Sequence, residues 1–256
     1  FDQAEATLAA LEGGAKALVF SSGMSAATAC FLALAPGDHV VAPKVMYWSL
    51  RNWLGGFAKN WGLKVEFVDA DRTDAIAAAV KPGVTKLVWL ETPANPLWTI
   101  TDLGAVCEIA HAAGARVAVD STCATPVLTR PIEHGADIVM HAATKYLNGH
   151  SDVVAGALAT ARIDEFWERV KRIRTMLGMI LGPLAEAQLR NAMSIGEGSA
   201  AVFFQRPMSI ALQAKLLEEF GPNRVLFKPE ATPIGPRLSE LRDATGGRAK
   251  VFEGTG

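Results

Sequence analysis

Cysteine is scarce in this sequence, and no apolar stretch is long. Its three cysteines, Cys30, Cys107 and Cys123, form no CxxC pair, so neither a disulfide framework nor a zinc site is expected. This usage fits a reducing compartment, and we expect a cytoplasmic protein without a bound metal. Apolar stretches such as Ala15–Phe20 and Ala26–Ala35 are too short or too interrupted to cross a bilayer. No membrane partner is therefore predicted.

Neither sign of charge is in excess. The chain has 25 Lys and Arg against 26 Asp and Glu, which argues against a polyanion-binding face, so no nucleic-acid partner is expected. Half of the 256 residues are hydrophobic, enough to bury a full core. The chain starts at Phe1 without a Met and stops in a Gly-Thr-Gly run, so we expect that both ends are cut from a longer protein.

Short β-branched runs alternate with Ala-rich stretches from about residue 15 to residue 159. This alternation is typical of βα units stacked into a parallel sheet, whose buried strands are continuously apolar. The predicted strands are Ala17–Phe20, His39–Ala42, Lys64–Val68, Lys86–Leu90, Arg116–Val119, Asp137–Met140 and Val153–Thr160. The predicted helices are Ser25–Ala35, Leu50–Asn60, Thr73–Val80, Leu103–Ala113 and Asp164–Ile180.

The character of the sequence changes beyond Ser194. New strand candidates follow at Ala200–Phe204 and Arg224–Phe227. We therefore predict a soft boundary near residue 195, with one domain over 1–195 and an αβ tail over 196–256.

Small polar residues follow the first predicted strand. In an open parallel sheet, ligands gather beyond the carboxyl ends of the strands. The stretch Ser21-Ser22-Gly23-Met24 leads into a helix, whose free N–H groups face an anion and suit a phosphate. The alternative is an ordinary Ser cap with a Gly turn, which such a motif more often is when taken alone.

Two further strand ends carry polar groups. The run Lys86–Leu90 leads into a turn in which two prolines present Asn95. The run Arg116–Val119 leads into Asp120-Ser121-Thr122, which places a carboxylate at the edge of the sheet. Taken alone, the first motif is usually just a turn, and a strand-end Asp is more often a cap or an ion-pair partner.

A lysine follows the sixth predicted strand. Lys145 comes shortly after Asp137–Met140, near Ala142, Ala143 and Leu147, and we expect it to be poorly solvated, as an imine-forming amine requires. A single Lys is otherwise usually a surface residue. A phosphate cradle, a strand-end Asp and a strand-end Lys in this order indicate an electron-sink cofactor with a pyridinium nitrogen.

The string "ATKYLNGHSDVVAG" (Ala143–Gly156), with "SSGMSA", "ETPANP" and "VDSTCATPVLTRP", resembles a known family. Over residues 1–193 the chain is similar to the Cys/Met-metabolism (transsulfuration) enzymes that use pyridoxal 5′-phosphate, such as cystathionine γ-synthase and methionine γ-lyase. The resemblance implies an aspartate-aminotransferase-like, fold type I large domain. Its three layers would be a mostly parallel sheet with helices on both faces, incomplete at both ends.

The resemblance also implies roles for individual residues. Lys145 would hold the cofactor covalently and later shuttle protons, and Asp120 would keep the pyridinium nitrogen protonated. Tyr47 would stack on the cofactor ring and act as acid or base, although a half-buried surface tyrosine is its alternative. The other implied cofactor-binding residues are Ser22, Gly23, Met24, Asn95, Thr122 and Thr144.

The chain also departs from this family. Ala142 stands where the family commonly has Ser, and Ser121 and Cys123 replace an Asn and a Tyr. The N-terminal segment that gives a Tyr and an Arg to the neighbouring subunit's phosphate has no counterpart here. Neither does the C-terminal Arg that binds the substrate carboxylate.

The implied function is elimination or replacement at Cγ or Cβ of sulfur-containing or O-acyl-homoserine amino acids, by a homo-oligomer that is a dimer or a tetramer. The alternative is a catalytically inactive truncated remnant. A third reading rests on the tail, where "VLFKPEATPIGPRLSELRDATGG" resembles part of the dihydrodipicolinate synthase and N-acetylneuraminate lyase family and implies an aldolase-type lyase acting through Lys228. A divergent extension with an exposed Lys228 is the alternative for the tail.

Overall fold

One sheet organises the part of the chain that the structure describes. In this computed structural model the described residues are 2–150 and 152–176. The strands are β1 Lys16–Phe20, β2 His39–Pro43, β3 Lys64–Val68, β4 Thr85–Glu91, β5 Arg116–Asp120, β6 Ile138–His141 and β7 Gly156–Thr160. Their order across the sheet is β1-β7-β6-β5-β4-β2-β3.

Parallel pairing dominates the sheet. Strand β2 pairs in parallel with β3 and β4, and β5 pairs in parallel with β4 and β6. Among the described strands only β7 runs the other way, antiparallel to both β1 and β6. The carboxyl ends of the other six strands therefore lie at one edge of the sheet, and the predicted mostly parallel α/β sheet is confirmed.

Helices connect most of the strands. They are α1 Asp2–Glu12, α2 Gly23–Leu32, α3 Trp48–Trp53, α4 Lys59–Trp61, α5 Thr73–Ala79, α6 Leu103–Ala112 and α7 Thr125–Leu128. A π-helical segment, Leu54–Ala58, joins α3 to α4, and Pro131–His134 is a 3-10 turn. Residues 165–176 form a further helix, α8.

Both faces of the sheet are covered. On β4, Leu87 and Trp89 pack into a core that includes α2 and α3, whereas Val88 and Leu90 pack into a second core with α5 and α6. Successive side chains of a strand point to opposite faces, so one strand contributes to both cores. The three-layer arrangement that the resemblance implied is confirmed.

Several predicted boundaries differ from the observed ones at polar residues. Strands β4, β5 and β6 each run one residue further than predicted, to Glu91, Asp120 and His141. Because these side chains are polar, the apolar runs predicted strand ends one residue too early. The backbone continues in sheet register at least through Glu91 and Asp120. The sheet edge therefore carries more buried polar groups than predicted.

Two other elements begin at different residues from those predicted. Helix α2 begins at Gly23 because Ser22 caps it. Strand β7 begins at Gly156, since Val153 and Val154 are exposed and lie outside it. The predicted boundary near residue 195 and the tail with Lys228 lie outside the described residues.

Helix α1 was not predicted, and two buried glutamates hold it. Glu5 Oε1 accepts a hydrogen bond from Val19 N at 3.0 Å and pairs with Arg174. Glu12 Oε1 lies 2.5 Å from His141 Nε2 at the end of β6. These contacts join residues far apart in sequence, so local patterns could not indicate them. In the described residues, no helix combines the length and the apolar character that crossing a membrane requires.

The largest buried side chain of β4 links the sheet to α2. Trp89 is fully buried, and its ring centroid lies 5.1 Å from that of Phe31 on α2. Trp89→Ala should lower the free energy of unfolding by ~3–5 kcal/mol, because it leaves a cavity in this core. Urea denaturation measures the loss. Trp48→Ala is the control, since Trp48 is 67% exposed, and an equal loss in both variants would contradict the packing described here.

Candidate active site

A set of polar groups converges at the carboxyl edge of the sheet. The segments after β1, β2, β4, β5 and β6 all leave the sheet at this edge, because the five strands point the same way. The predicted site residues lie in these segments or at the ends of the strands. Topology therefore brings them to one edge, as ligand sites in open α/β sheets require.

The segment after β1 forms an anion cradle. Ser22 Oγ accepts from Ser25 N at 3.1 Å, and Ser25 Oγ accepts from Ser22 N at 3.0 Å, which makes a capping box. Within residues 2–150 and 152–176, the N–H groups of Gly23 and Met24 have no acceptor. Two free N–H groups at the start of a 10-residue helix suit an anion.

Gly23 also sets how closely this cradle approaches β6. A Cβ atom on Gly23 would lie 2.7 Å from the Cβ of Ala142, closer than side-chain atoms pack. Strand β7 is equally tight, because a Cβ on Gly156 would lie 2.1 Å from Ser22 O. The cradle therefore abuts Ala142 through Gly23 and β7 through Gly156, and neither position has room for a side chain.

Asp120 lies at the end of β5 and is buried. Its Oδ1 accepts from Thr122 N at 3.0 Å and from Thr122 Oγ1 at 2.5 Å, and Thr122 Oγ1 accepts from Ala142 N at 2.8 Å. From the described residues, Oδ2 accepts no hydrogen bond. Burial raises the pKa of Asp120, against the lowering effect of the bonds from Thr122. A cationic partner at Oδ2 would favour the carboxylate.

Glu91 lies beside Asp120, and no role was predicted for it from the sequence. The two residues are directly opposite in the β4–β5 register. Glu91 Oε2 accepts from Tyr47 N at 2.7 Å, and Oε1 accepts from Asn95 N at 2.8 Å. Burial, with the charge of Asp120, raises the pKa of Glu91 to about 7. The sequence feature that could have indicated Glu91 is the one that indicated Asp120, a carboxylate directly after an apolar strand.

Tyr47 and Asn95 present exposed side chains next to these carboxylates. Tyr47 is 41% exposed and occupies the N-cap position of α3, where its side chain makes no capping hydrogen bond. Asn95 is exposed in the turn after β4. The ring of Tyr47 and the side-chain amide of Asn95 are therefore accessible to a ligand. Their roles stay predictions.

Lys145 is exposed, so the expectation that it is poorly solvated is wrong for the described part of the chain. It lies in a turn beyond the end of β6, where Lys145 N donates to Ala142 O at 2.9 Å and Gly149 N donates to Lys145 O at 2.8 Å. Its apolar neighbours in sequence do not cover it, because the turn stands outside the sheet. The turn nevertheless starts at Ala142, which contacts both Thr122 and the cradle.

Two side chains of the implied cofactor-binding set make hydrogen bonds within the protein. The Thr144 hydroxyl donates to Ala155 O at 3.1 Å and accepts from Ala155 N at 3.0 Å, which ties the Lys145 turn to the segment before β7. The Ser22 hydroxyl caps α2. Both side chains shape the cradle, and direct contact of either with a phosphate stays a prediction.

Comparison with known proteins identifies the family. A family profile described as "Cys/Met metabolism PLP-dependent enzyme" matches residues 2–193. The chain belongs to this family. It is 42% identical over 176 residues to a protein named probable cystathionine gamma-synthase from Herpetosiphon aurantiacus, covering 69% of this chain and 54% of that protein. It is 49% identical over 156 residues to an L-methionine gamma-lyase from Porphyromonas gingivalis, covering 60% and 39%.

A solved structure of the Cys/Met metabolism family has the same fold. Cystathionine gamma synthase from Xanthomonas oryzae pv. oryzae, crystallised in complex with cystathionine, matches with a TM-score of 0.63 at 39% identity. The match covers 68% of this chain and 45% of that one. The chain spans about half the length of the curated relatives it matches.

The residues present fit the cofactor of this PLP-dependent family. Pyridoxal phosphate needs an anion site, a carboxylate for a cationic ring nitrogen and a reactive amine. The N–H groups of Gly23 and Met24, Oδ2 of Asp120 and the amine of the exposed Lys145 can supply these three groups. Hydrogen bonds link Asp120 through Thr122 to Ala142, where the turn that carries Lys145 starts.

Gly23→Ala should displace the anion cradle from β6. We expect the affinity for pyridoxal 5′-phosphate to fall about tenfold or more, because bonds to a charged group are lost, while the affinity for pyridoxal, which lacks the phosphate, stays the same. Gly55→Ala is the matched control, since a Cβ there meets nothing within 4 Å. Absorbance titration measures both affinities, and an unchanged ratio in Gly23→Ala would contradict this geometry.

The raised pKa of Glu91 predicts a pH-dependent stability. In the folded chain Glu91 holds its proton up to about pH 7, whereas its ordinary pKa is 4.5. The folded state therefore binds more protons between these values, and stability falls by ~3 kcal/mol as pH rises from about 4.5 through about 7. Urea denaturation across this range measures the slope. Glu91→Gln should flatten it, and an equally steep slope in that variant would show that other groups cause it.

Proposed function

We propose that this chain forms the cofactor-binding part of an enzyme that eliminates or replaces groups at Cγ or Cβ of sulfur-containing or O-acyl-homoserine amino acids. The observation that carries the proposal is the hydrogen-bonded link from Asp120 through Thr122 to Ala142, packed against the Gly23 turn. Family membership supports the chemistry. Relatives named cystathionine gamma-synthase and L-methionine gamma-lyase support the substrate class.

Each part of the cofactor has a place in this proposal. Gly23 and Met24 would bind its phosphate through backbone N–H groups, and Lys145 would hold it covalently. Asp120 would keep its ring nitrogen protonated. The cofactor residues as a set are Ser22, Gly23, Met24, Tyr47, Asn95, Asp120, Thr122, Thr144 and Lys145.

The protein's own groups then control charge and protons. Bound pyridoxal phosphate supplies an electron sink for the bonds around the substrate α-carbon. The Asp120 carboxylate favours a protonated ring nitrogen, because opposite charges stabilise each other in a buried setting. The Lys145 amine, on its exposed turn, accepts and donates protons at the substrate carbons, and the Tyr47 hydroxyl is a second acid or base.

Assembly and location follow from the same proposal. We infer a small amino-acid substrate, a homo-oligomer of two or four chains, and a cytoplasmic protein. Exposed apolar side chains around the site support an assembly that covers this edge, among them Leu97, Ile100, Val127 and Leu128. The nearly equal numbers of basic and acidic residues support the expectation that nucleic acid is not a partner.

Covalent labelling tests the proposal. Pyridoxal 5′-phosphate added to the chain should give a visible absorbance band, and borohydride reduction followed by peptide mass spectrometry should place the label on Lys145. Lys145→Ala should lose both signals. Lys86→Ala is the control, because Lys86 binds Gly83 O at the opposite edge of the sheet.

The outcome also separates the enzyme from its alternative. A labelled chain that does not turn over cystathionine or methionine favours a remnant that binds cofactor without chemistry. A label spread over surface lysines, or one unchanged in Lys145→Ala, would contradict the proposed site.

A further inference from the structure

Glu91 is a buried carboxylate that binds two separate segments of backbone. It is 5% exposed, and each of its oxygens accepts one N–H group, from Tyr47 at 2.7 Å and from Asn95 at 2.8 Å. Tyr47 follows β2, and Asn95 follows β4. One side chain therefore connects the segments beyond two neighbouring strands.

Burying a carboxylate costs free energy, whereas burying an apolar side chain, such as that of the neighbouring Leu90, does not. The two hydrogen bonds offset the cost, because they satisfy both oxygens with donors that have no other acceptor in the described residues. Asn95 stands between Pro93 and Pro96, which have no N–H groups of their own to anchor the turn. Ala94 N donates to Thr99 O within the turn, whereas Asn95 N donates to Glu91 and so ties the turn to the sheet.

The place of Glu91 in the sheet aligns these segments with the rest of the site. Glu91 is directly opposite Asp120 in the β4–β5 register, so the carboxylate that binds the two segments neighbours the carboxylate proposed for the ring nitrogen. The raised pKa of Glu91, caused by burial and then by Asp120, agrees with this proximity.

We propose that Glu91 is a positioning residue, which sets Tyr47 and Asn95 at fixed places relative to Asp120 so that they contact the cofactor ring. The inference rests on the proposed function for the identity of the ring. Glu91 itself touches no reacting atom. In this proposal it acts through its hydrogen bonds to the backbone of Tyr47 and Asn95, which contact the cofactor ring.

Hydrogen exchange tests the contacts without any cofactor. In Glu91→Gln the side-chain NH₂ replaces one acceptor oxygen, so at least one of the two N–H groups loses its partner. Amide exchange at Tyr47 or Asn95 should then be about tenfold faster than in the wild type. Glu5→Gln is the matched control, because Glu5 is an equally buried glutamate that accepts from Val19 N. The Gln amide oxygen can take the place of Oε1, which accepts from Val19 N, so exchange at Val19, Tyr47 and Asn95 should stay near that of the wild type.

Cofactor binding tests the positioning role. Glu91→Gln should weaken the binding of pyridoxal and of pyridoxal 5′-phosphate by the same factor, about tenfold, because the ring contacts are lost and the phosphate cradle is intact. This pattern differs from that of Gly23→Ala, which changes the ratio of the two affinities. Glu5→Gln controls for general destabilisation, and both affinities in this variant should stay near those of the wild type. Should Glu91→Gln not fold, Glu91→Asp keeps the charge and is too short to reach both N–H groups, so the same exchange and binding changes are expected of it.

Three results would overturn the inference. Unchanged exchange at both Tyr47 and Asn95 would show that Glu91 does not hold these segments, whatever the enzyme does. Faster exchange with unchanged pyridoxal affinity would show that the segments do not position the ring. If the wild type attaches no cofactor at Lys145, the proposed function fails and ring positioning fails with it, while the exchange data still report whether the Glu91 contacts exist.

Discussion

The hydroxyl of Thr122 donates to Asp120 and accepts from the backbone of Ala142, and the candidate site depends on this one bridge. It holds the end of β5 to the first residue of the Lys145 turn. Ala142 in turn packs against Gly23, so the anion cradle, the buried acid and the lysine turn share one short network. A side chain at Gly23 would overlap Ala142, which explains why glycine is required at the point of closest approach.

Charge is separated across this edge of the sheet. The buried carboxylates of Glu91 and Asp120 lie at the ends of β4 and β5, while the free N–H groups of Gly23 and Met24 carry the positive end of helix α2. A ligand with a cationic ring at one end and an anion at the other matches this separation. Because burial makes the charge of these carboxylates costly, a ligand with a cationic ring would favour their charged form.

Most of the sheet could be predicted from the sequence, because buried strands are largely apolar runs, and each of the seven strands in the described residues was predicted. The polar residues that end β4, β5 and β6 could not be placed by hydropathy. Glu91 follows an apolar run as Asp120 does, but its role depends on register with Asp120 and on contact with Tyr47, 44 positions away, which a single sequence does not reveal. The burial of Lys145 was predicted wrongly, because apolar neighbours in sequence do not cover a turn outside the sheet. The pairing of Glu12 with His141 is a contact between distant positions, which a single sequence does not reveal.

An experimental structure of the chain with pyridoxal 5′-phosphate tests the central claim most directly, namely that Gly23, Asp120 and Lys145 form one cofactor site. We expect the phosphate on the N–H groups of Gly23 and Met24, the ring nitrogen at Asp120 Oδ2, and continuous density from Lys145 Nζ to the cofactor. A cofactor bound elsewhere on the chain, or with its phosphate away from the start of α2, would contradict it.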